Sequence, residues 1–246
     1  MPIELFQAKV SRVRDLTHDV REIQLRLIAP ETITFKAGQF ISFEVSRQGQ
    51  SGTVTRPYSI ASPPNRQEVV TIVLNRVSGG PGSTYLFSLR EGDQTQFKGP
   101  AGTFYLREDF SRDLLFVATG TGIAPIRSML LNWSHRGALV SATLYWGLRS
   151  RRDLYYQDEL ETLAKSHQNF SFVTTLSRPE NGWQGPRGRV TGLVEGGIAS
   201  VKGLAAYLCG NGGMIKDVSG ILNGKGLCPI YREKYYDGAG EEDRVT

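Results

Sequence analysis

The spacing of apolar and polar residues changes period once along the chain, near residue 110. Before that point, short segments alternate. Residues 20–28, Val-Arg-Glu-Ile-Gln-Leu-Arg-Leu-Ile, interleave apolar and charged side chains as a half-buried antiparallel strand does. Residues 39–45 and 69–74 carry the same signal. Pro30, Gly38, Pro63-Pro64, Gly79-Gly80 and Gly92-Asp93 punctuate these runs. Short strands joined by such turns predict a closed or nearly closed antiparallel β-barrel over residues 1–108, with one short helix over residues 83–89.

After residue 109 the pattern becomes that of strands alternating with helices. Leu114-Leu115-Phe116-Val117-Ala118 is apolar without alternation, so both faces of this strand are expected to be covered. Helices are predicted over residues 126–133, 153–167 and 214–222, and strands over 139–146, 170–175 and 204–208. Leu154, Leu160, Leu163 and Ala164 are spaced to face a core, as are Met214, Val218, Ile221 and Leu222. Such an order predicts an α/β domain over residues 109–246, a parallel sheet with helices on both sides. The tail from Gly238 to Thr246 is polar and expected to be loose.

Composition narrows the chemistry. At 246 residues the chain can build two cores. Cys209 and Cys228 are its only cysteines, too few for a disulfide framework or a four-cysteine metal or iron–sulfur centre. His18, His135 and His167 are far apart in sequence, which argues against a histidine-rich metal site. The start lacks a basic segment followed by an apolar run, and nothing approaches a spanning helix, so a reduced cytoplasmic setting is expected. The formal charge of +5 suits acidic partners, while zinc-finger spacing and long basic runs are lacking, so nucleic acid is not expected.

Four glycine- or arginine-bearing segments could carry chemistry. Thr119-Gly120-Thr121-Gly122-Ile123-Ala124-Pro125 follows the buried strand, and free N–H groups at a helix start attract phosphate. Pro125 stands where G-x-G-x-x-G has its third glycine, so alone the turn fits a nucleotide site or an ordinary α/β connection. Arg56-Pro57-Tyr58-Ser59 is read at the start of a barrel strand. Alternation puts Arg56 and Tyr58 on one face, where a guanidinium fork and a ring suit a phosphate-bearing aromatic ligand, or simply an ordinary strand. Gly79-Gly80-Pro81-Gly82-Ser83-Thr84 is a second anion cradle or a plain turn. Cys209-Gly210-Asn211-Gly212-Gly213-Met214 closes a buried strand where parallel sheets bind ligands, although Cys209 could be an inert core thiol.

Taken together and in this order, the four segments resemble the ferredoxin–NADP reductase family over roughly residues 5–236, in a form without a fused iron–sulfur domain. The resemblance implies an N-terminal Greek-key barrel holding flavin and a C-terminal α/β domain holding nicotinamide nucleotide. It implies that Arg56, Pro57 and Tyr58 line the flavin, with Arg56 on its pyrophosphate, Tyr58 on its ring and Ser59 near N5. Gly80, Gly82, Ser83 and Thr84 would form the second phosphate grip, which favours FAD over FMN. Thr119, Gly120, Thr121 and Gly122, with Gly210, Asn211 and Met214, would approach the nicotinamide nucleotide. Cys209 would lie beside the hydride path, positioning rather than attacking. Tyr231-Arg232-Glu233-Lys234-Tyr235 is similar to the family's terminal segment, so Glu233 would tune the site and Tyr235 cover it. The residues after that aromatic depart from relatives that stop there.

The resemblance implies an oxidoreductase, a flavoprotein passing electrons from NAD(P)H through FAD, by hydride transfer in and single electrons out, to a separate acceptor protein. Ferredoxin, flavodoxin or an oxygenase component, acidic against this basic chain, is the expected partner. Any iron–sulfur centre is expected on that partner, and the reductase is expected to be a monomer. A reductase of free flavin or another small acceptor, and a non-catalytic flavin-binding electron-transfer subunit, remain alternatives. Arg149, Arg178 and Arg189 stand where NADPH-using relatives place a 2′-phosphate clamp. Leu176-Ser177-Arg178-Pro179 and Asp153-Leu154-Tyr155-Tyr156 look instead like NADH-using oxygenase reductases. The arginines tip the expectation to NADPH, with Ser177 beside the clamp.

Overall fold

Alternation in the first hundred residues produces a curled antiparallel sheet. The computed structural model describes residues 3–47 and 52–235; the tail beyond Tyr235 lies outside them. Strands β1 (Glu4–Asp15), β2 (Val20–Ala29), β3 (Phe40–Ser46), β4 (Thr53–Ser59), β5 (Val69–Asn75) and β6 (Gln94–Ala101) lie in the order β4-β3-β6-β1-β2-β5. Helix α1 (Pro81–Ser88) joins β5 to β6. The sheet closes where Ile60, just past β4, bridges Ile72 of β5 and the Ala61 N–H donates to the Thr71 carbonyl at 2.7 Å. Every second residue of β1 from Phe6 to Val10 points into the barrel core, where Phe97 stacks on Phe6 at 5.3 Å and tilts against Phe43 at 5.9 Å.

The second sheet begins with β7 (Asp113–Thr119). A 3-10 turn (Gly120–Gly122) leads into α2 (Ile123–His135), followed by β8 (Ala142–Leu148), α3 (Gln157–Ser166), β9 (Phe170–Leu176), α4 (Val190–Gly197), β10 (Leu204–Gly210), α5 (Gly212–Gly224) and β11 (Ile230–Lys234). All five strands are parallel, in the order β11-β10-β7-β8-β9. The run of apolar residues in β7 now has its reason. Leu114, Phe116 and Ala118 pack on the side of α2 and α3, while Leu115 and Val117 pack against α4 and α5. Strand order reverses between β7 and β10, so their carboxyl ends open the crevice where open parallel sheets take ligands. Barrel residues Ala37, Ala61, Phe104 and Leu106 join the core on the α2 side, so one apolar cluster spans both sheets.

Some elements differ from their sequence reading. Arg56-Pro57-Tyr58-Ser59 forms the end of β4, not its start, because β4 pairs with β3 from Thr53 onward. The strand expected from residue 139 starts at Ala142, where pairing with Leu114 of β7 becomes available; Leu139 is 94% exposed. The helix expected from residue 153 starts at Gln157, because Tyr156 adopts a left-handed backbone (φ 56°) and a 3-10 turn precedes it. Pro125 is the third residue of α2, where its missing N–H leaves no helical bond unmade.

Gly122 shows how close the crevice walls come. A Cβ there would collide with the Cys209 carbonyl and lie 2.9 Å from Gly210 Cα. Gly122→Ala is therefore expected to lower unfolding free energy by about 1–3 kcal/mol through overpacking, read from denaturant or thermal melting.

Candidate active site

The barrel side of the site is built from the end of β4 and the start of α1. Gly82 packs so closely on this strand that an added Cβ would collide with the Tyr58 hydroxyl and lie 3.0 Å from Arg56 Cβ. Arg56 and Tyr58 thus share the face covered by the helix start. The Arg56 guanidinium is exposed and donates to its neighbour's carbonyl, Thr55, at 3.0 Å. Burial pushes the Tyr58 phenol up to about 12, against the opposing pull of Arg56. Helix α1 starts after Gly80 with Pro81, so the N–H groups of Gly82 and Ser83 precede its first helical bond, from the Thr84 N–H to the Gly80 carbonyl. The Ser83 hydroxyl is engaged within the loop, accepting from Val77 N and lying 3.1 Å from the carbonyls of Val77 and Gly80. Its backbone, rather than its side chain, faces the anion cradle. Thr84 is exposed at the rim.

The α/β side comes from the ends of β7 and β10. Gly120 has φ 52°, and its carbonyl accepts from the indole of Trp146 at 3.0 Å and the Tyr155 hydroxyl at 3.2 Å. Fixing that carbonyl inward leaves the helix start after it for a ligand. The Thr121 hydroxyl lies 3.4 Å from Asn75 Oδ1 of the barrel. Gly210 (φ 131°) lets β10 press against Thr119, whose hydroxyl accepts the Asn211 N–H at 2.9 Å. Asn211 caps α5 by accepting from the N–H groups of Gly213 and Met214. The Met214 side chain goes into the core under α5 and not into the crevice.

Four residues from the two sides come together at the mouth. The Tyr235 N–H donates to the Gly210 carbonyl at 3.0 Å, and its hydroxyl crosses to the barrel to donate to Ser59 Oγ at 2.8 Å. Ser59 Oγ in turn donates to Glu233 Oε2 at 3.0 Å. Glu233 and Cys209 are register partners on β11 and β10, and the Cys209 thiol interacts with the Tyr235 hydroxyl. Burial, and then Glu233, hold the Cys209 thiol well above its ordinary range, so it is a neutral thiol. Burial raises the Glu233 carboxyl to about 7, opposed by the Ser59 hydrogen bond. Hydroxyl, carboxyl and thiol therefore converge at the mouth between the two sheets.

The arginines form a third group. The Arg178 N–H donates to the Arg149 carbonyl at 2.7 Å, and the Ser177 N–H donates to Leu148, which joins the ends of β8 and β9. Arg187 bridges Leu176, and Arg189 precedes α4 two residues later, so exposed Arg149, Arg178 and Arg189 stand where the ends of β8 and β9 approach the start of α4. Sequence reasoning missed Trp146 and Tyr155, which hold Gly120, and Asn75, which meets Thr121. It also missed Lys234, whose stem packs on Gly212. Two of them had a signal, Tyr155 inside Asp153-Leu154-Tyr155-Tyr156 and Lys234 inside Tyr231-Arg232-Glu233-Lys234-Tyr235.

The glycine-fitted cradle at Gly82, the unbonded helix-start N–H groups and the exposed Arg56 suit a diphosphate on the barrel. The Gly120 turn suits a second one on the sheet. Residues 7–105 match the oxidoreductase FAD-binding domain family, and residues 116–220 match the oxidoreductase NAD-binding domain family. The chain is 34% identical to ferredoxin–NADP reductase B of Sorangium cellulosum, over 94% of this chain and 98% of that one. It belongs to the ferredoxin–NADP reductase family. It is also 33% identical to the phenol 2-monooxygenase reductase component DmpP of a Pseudomonas species, over 99% of this chain and 70% of that protein. Among solved structures, the Amycolatopsis cytochrome P450 reductase GcoB superposes with a TM-score of 0.84 at 29% identity, over 95% of this chain and 70% of that one. The family reductase is thus an FAD- and NAD(P)H-binding oxidoreductase with the two-sheet fold described above.

Glu233 gives this mouth a pH signature. Burial raises its folded-state carboxyl to about 7 from the ordinary 4.5 of the unfolded chain, so its contribution is fully present below 4.5 and lost as pH rises through about 7. Without dinucleotide, the melting temperature of Glu233→Gln relative to the native protein is expected to rise between those values and level off above them. A pH-independent difference in melting scans contradicts this.

Proposed function

We propose that the chain takes two electrons from NAD(P)H and passes them through FAD, one at a time, to a separate acceptor protein. The observation that carries the reading is the convergence of Ser59, Cys209, Glu233 and Tyr235 between a diphosphate cradle on the barrel and a dinucleotide turn on the sheet. Residues 1–108 are the FAD half and residues 109–246 the NAD(P) half. Arg56, Pro57, Tyr58 and Ser59, with the α1 start from Gly80 to Thr84, hold FAD. Thr119–Gly122 and Cys209–Asn211 hold the dinucleotide, with the Met214 N–H supporting the Asn211 cap. When bound, FAD supplies the capacity to accept a hydride and release single electrons.

The residues of the chain supply position and proton control. Tyr235 closes the mouth, Ser59 fixes the Glu233 carboxyl by its donated hydrogen bond, and the neutral Cys209 thiol shapes the wall without acting as a nucleophile. Relatives named as reductase or electron transfer components of phenol 2-monooxygenase, naphthalene 1,2-dioxygenase and toluate 1,2-dioxygenase, and as ferredoxin–NADP reductase, support an acceptor that is a ferredoxin or an oxygenase component. A net charge of +5 favours an acidic one. No helix among the described residues is long and apolar enough to cross a membrane. The proposed setting is a cytoplasmic monomer working with a diffusible partner.

NADPH is the preferred donor, because Arg149, Arg178 and Arg189 meet at the ends of β8 and β9 where a 2′-phosphate would find charge-assisted donors. The purified protein is expected to show flavin absorption bands and to bleach anaerobically with NADPH more readily than with NADH. A colourless protein, or one bleached by neither, refutes the function. Arg178→Ala is expected to raise KM for NADPH about ten- to a hundredfold while leaving KM for NADH nearly unchanged. Equal effects on both donors would remove Arg178 from the 2′-phosphate site.

A further inference from the structure

Two adjacent tyrosines, buried to 6% and 9% exposure, link the dinucleotide turn to the barrel. The Tyr155 hydroxyl donates to the Gly120 carbonyl at 3.2 Å, and its ring stands edge-on to Trp146 at 4.8 Å, the other side chain bonded to that carbonyl. Tyr156 departs in the opposite direction. Its left-handed backbone (φ 56°) is one that residues with side chains adopt only when the surroundings impose it. The Tyr156 hydroxyl donates to Glu22 Oε2 on β2, a carboxylate only 4% exposed and paired with Arg14 at 3.5 Å. The guanidinium of Arg127 sits 4.8 Å over the Tyr156 ring. That same arginine forks onto Glu159 at 2.6 and 2.7 Å and donates to the barrel carbonyl of Ala61 at 2.8 Å. The Ser128 hydroxyl adds a bond to the Ser62 carbonyl at 2.7 Å.

Gly120 has a positive φ and needs its carbonyl held inward; Tyr156 has a positive φ and is held by the barrel. A rotation of the α/β half against β2 therefore pulls on Tyr156 and, one peptide away, on the clamp at Gly120. We propose that Tyr155-Tyr156 is a positioning element: Tyr155 sets the conformation of the dinucleotide turn, and Tyr156, through Glu22, sets the reach between that turn and the barrel. This rests on the proposed reading of Thr119–Gly122 as the dinucleotide site. The two tyrosines divide the labour, so binding and transfer should respond to different hydroxyls.

The test uses Tyr155→Phe, Tyr156→Phe and Glu22→Gln in the FAD-loaded protein. Each phenylalanine keeps the ring and removes one hydroxyl, and glutamine keeps an acceptor for Tyr156. Three quantities are read: FAD content with melting temperature, affinity for ADP-ribose by titration calorimetry, and the limiting rate of anaerobic bleaching at saturating NADPH. Tyr155→Phe is expected to weaken ADP-ribose about tenfold while keeping the limiting rate within about twofold. Tyr156→Phe is expected to leave ADP-ribose affinity within about twofold and to slow the limiting rate about tenfold or more, because small misplacements cost rate steeply. Glu22→Gln is expected to stay within about threefold of the native rate. Native ADP-ribose affinity in Tyr155→Phe overturns the clamp, and a native limiting rate in Tyr156→Phe overturns the reach. Parallel loss of FAD, melting temperature and every other quantity in both variants overturns positioning in favour of a purely structural role. If the native protein binds ADP-ribose but is bleached by neither nicotinamide, the oxidoreductase reading fails and the Tyr156 claim with it, while the Tyr155 clamp is still decided by calorimetry.

Discussion

Ser59 Oγ is bonded from both directions, accepting from Tyr235 and donating to Glu233, and both partners come from β11 or the residue just after it. The rest of the molecule can be read as what is needed to keep that serine between them. The barrel brings it there because β4 ends at Ser59 as Ile60 turns to bridge β5. The parallel sheet brings the carboxyl there because β11 adds to the outer edge of β10 in a register that sets Glu233 beside Cys209. Only the two sheets together bring the Ser59 hydroxyl within reach of the Glu233 carboxyl and the Tyr235 hydroxyl.

Keeping two sheets in register at one point requires more than an apolar contact, because hydrophobic burial is non-directional and tolerates sliding. The shared core around Phe104 and Leu106 supplies adhesion, whereas directional bonds supply position. Asn75 meets Thr121, Arg127 and Ser128 meet the backbone at Ala61 and Ser62, and Tyr156 meets Glu22. Apart from Asn75, which is exposed, these groups are buried or partly buried, so each of their bonds, if broken, leaves a desolvated polar atom. That asymmetry makes the arrangement specific: sliding would sacrifice several satisfied polar groups together.

The fold was largely legible because both of its periods are strong. Alternation in residues 20–28 and the unbroken apolar run at Leu114–Ala118 describe β2 and β7 with opposite burial requirements, and the structure meets both. Strand β11 was less legible, since Ile-Tyr-Arg-Glu-Lys is an edge strand with little apolar content, and α4 carries three glycines that weaken a helical signal. The motif residues were readable one by one, but their partners were not. Nothing in local sequence places Glu22 against Tyr156 across 134 residues, or turns the Ser83 hydroxyl back on its own loop. Those are decided by packing, which single-sequence pattern does not encode.

The missing third glycine illustrates the same point. In a turn with G-x-G-x-x-G, the last glycine permits a close approach between helix and strand. Here Pro125 fills that place, with its neighbours Ala124 and Ile126 fully buried, and the close approach has moved. It lies at Gly122, where an added Cβ would meet the Cys209 carbonyl, and at Gly210, where one would meet Thr119. The turn is thus pressed against the neighbouring strand end rather than against its own helix. Tying the turn to β10 sets Gly122 against Cys209, and β11 then adds Glu233 and Tyr235 at the same level. Moving one close contact by a few residues is enough to convert a generic phosphate turn into one wall of a mouth that faces the barrel.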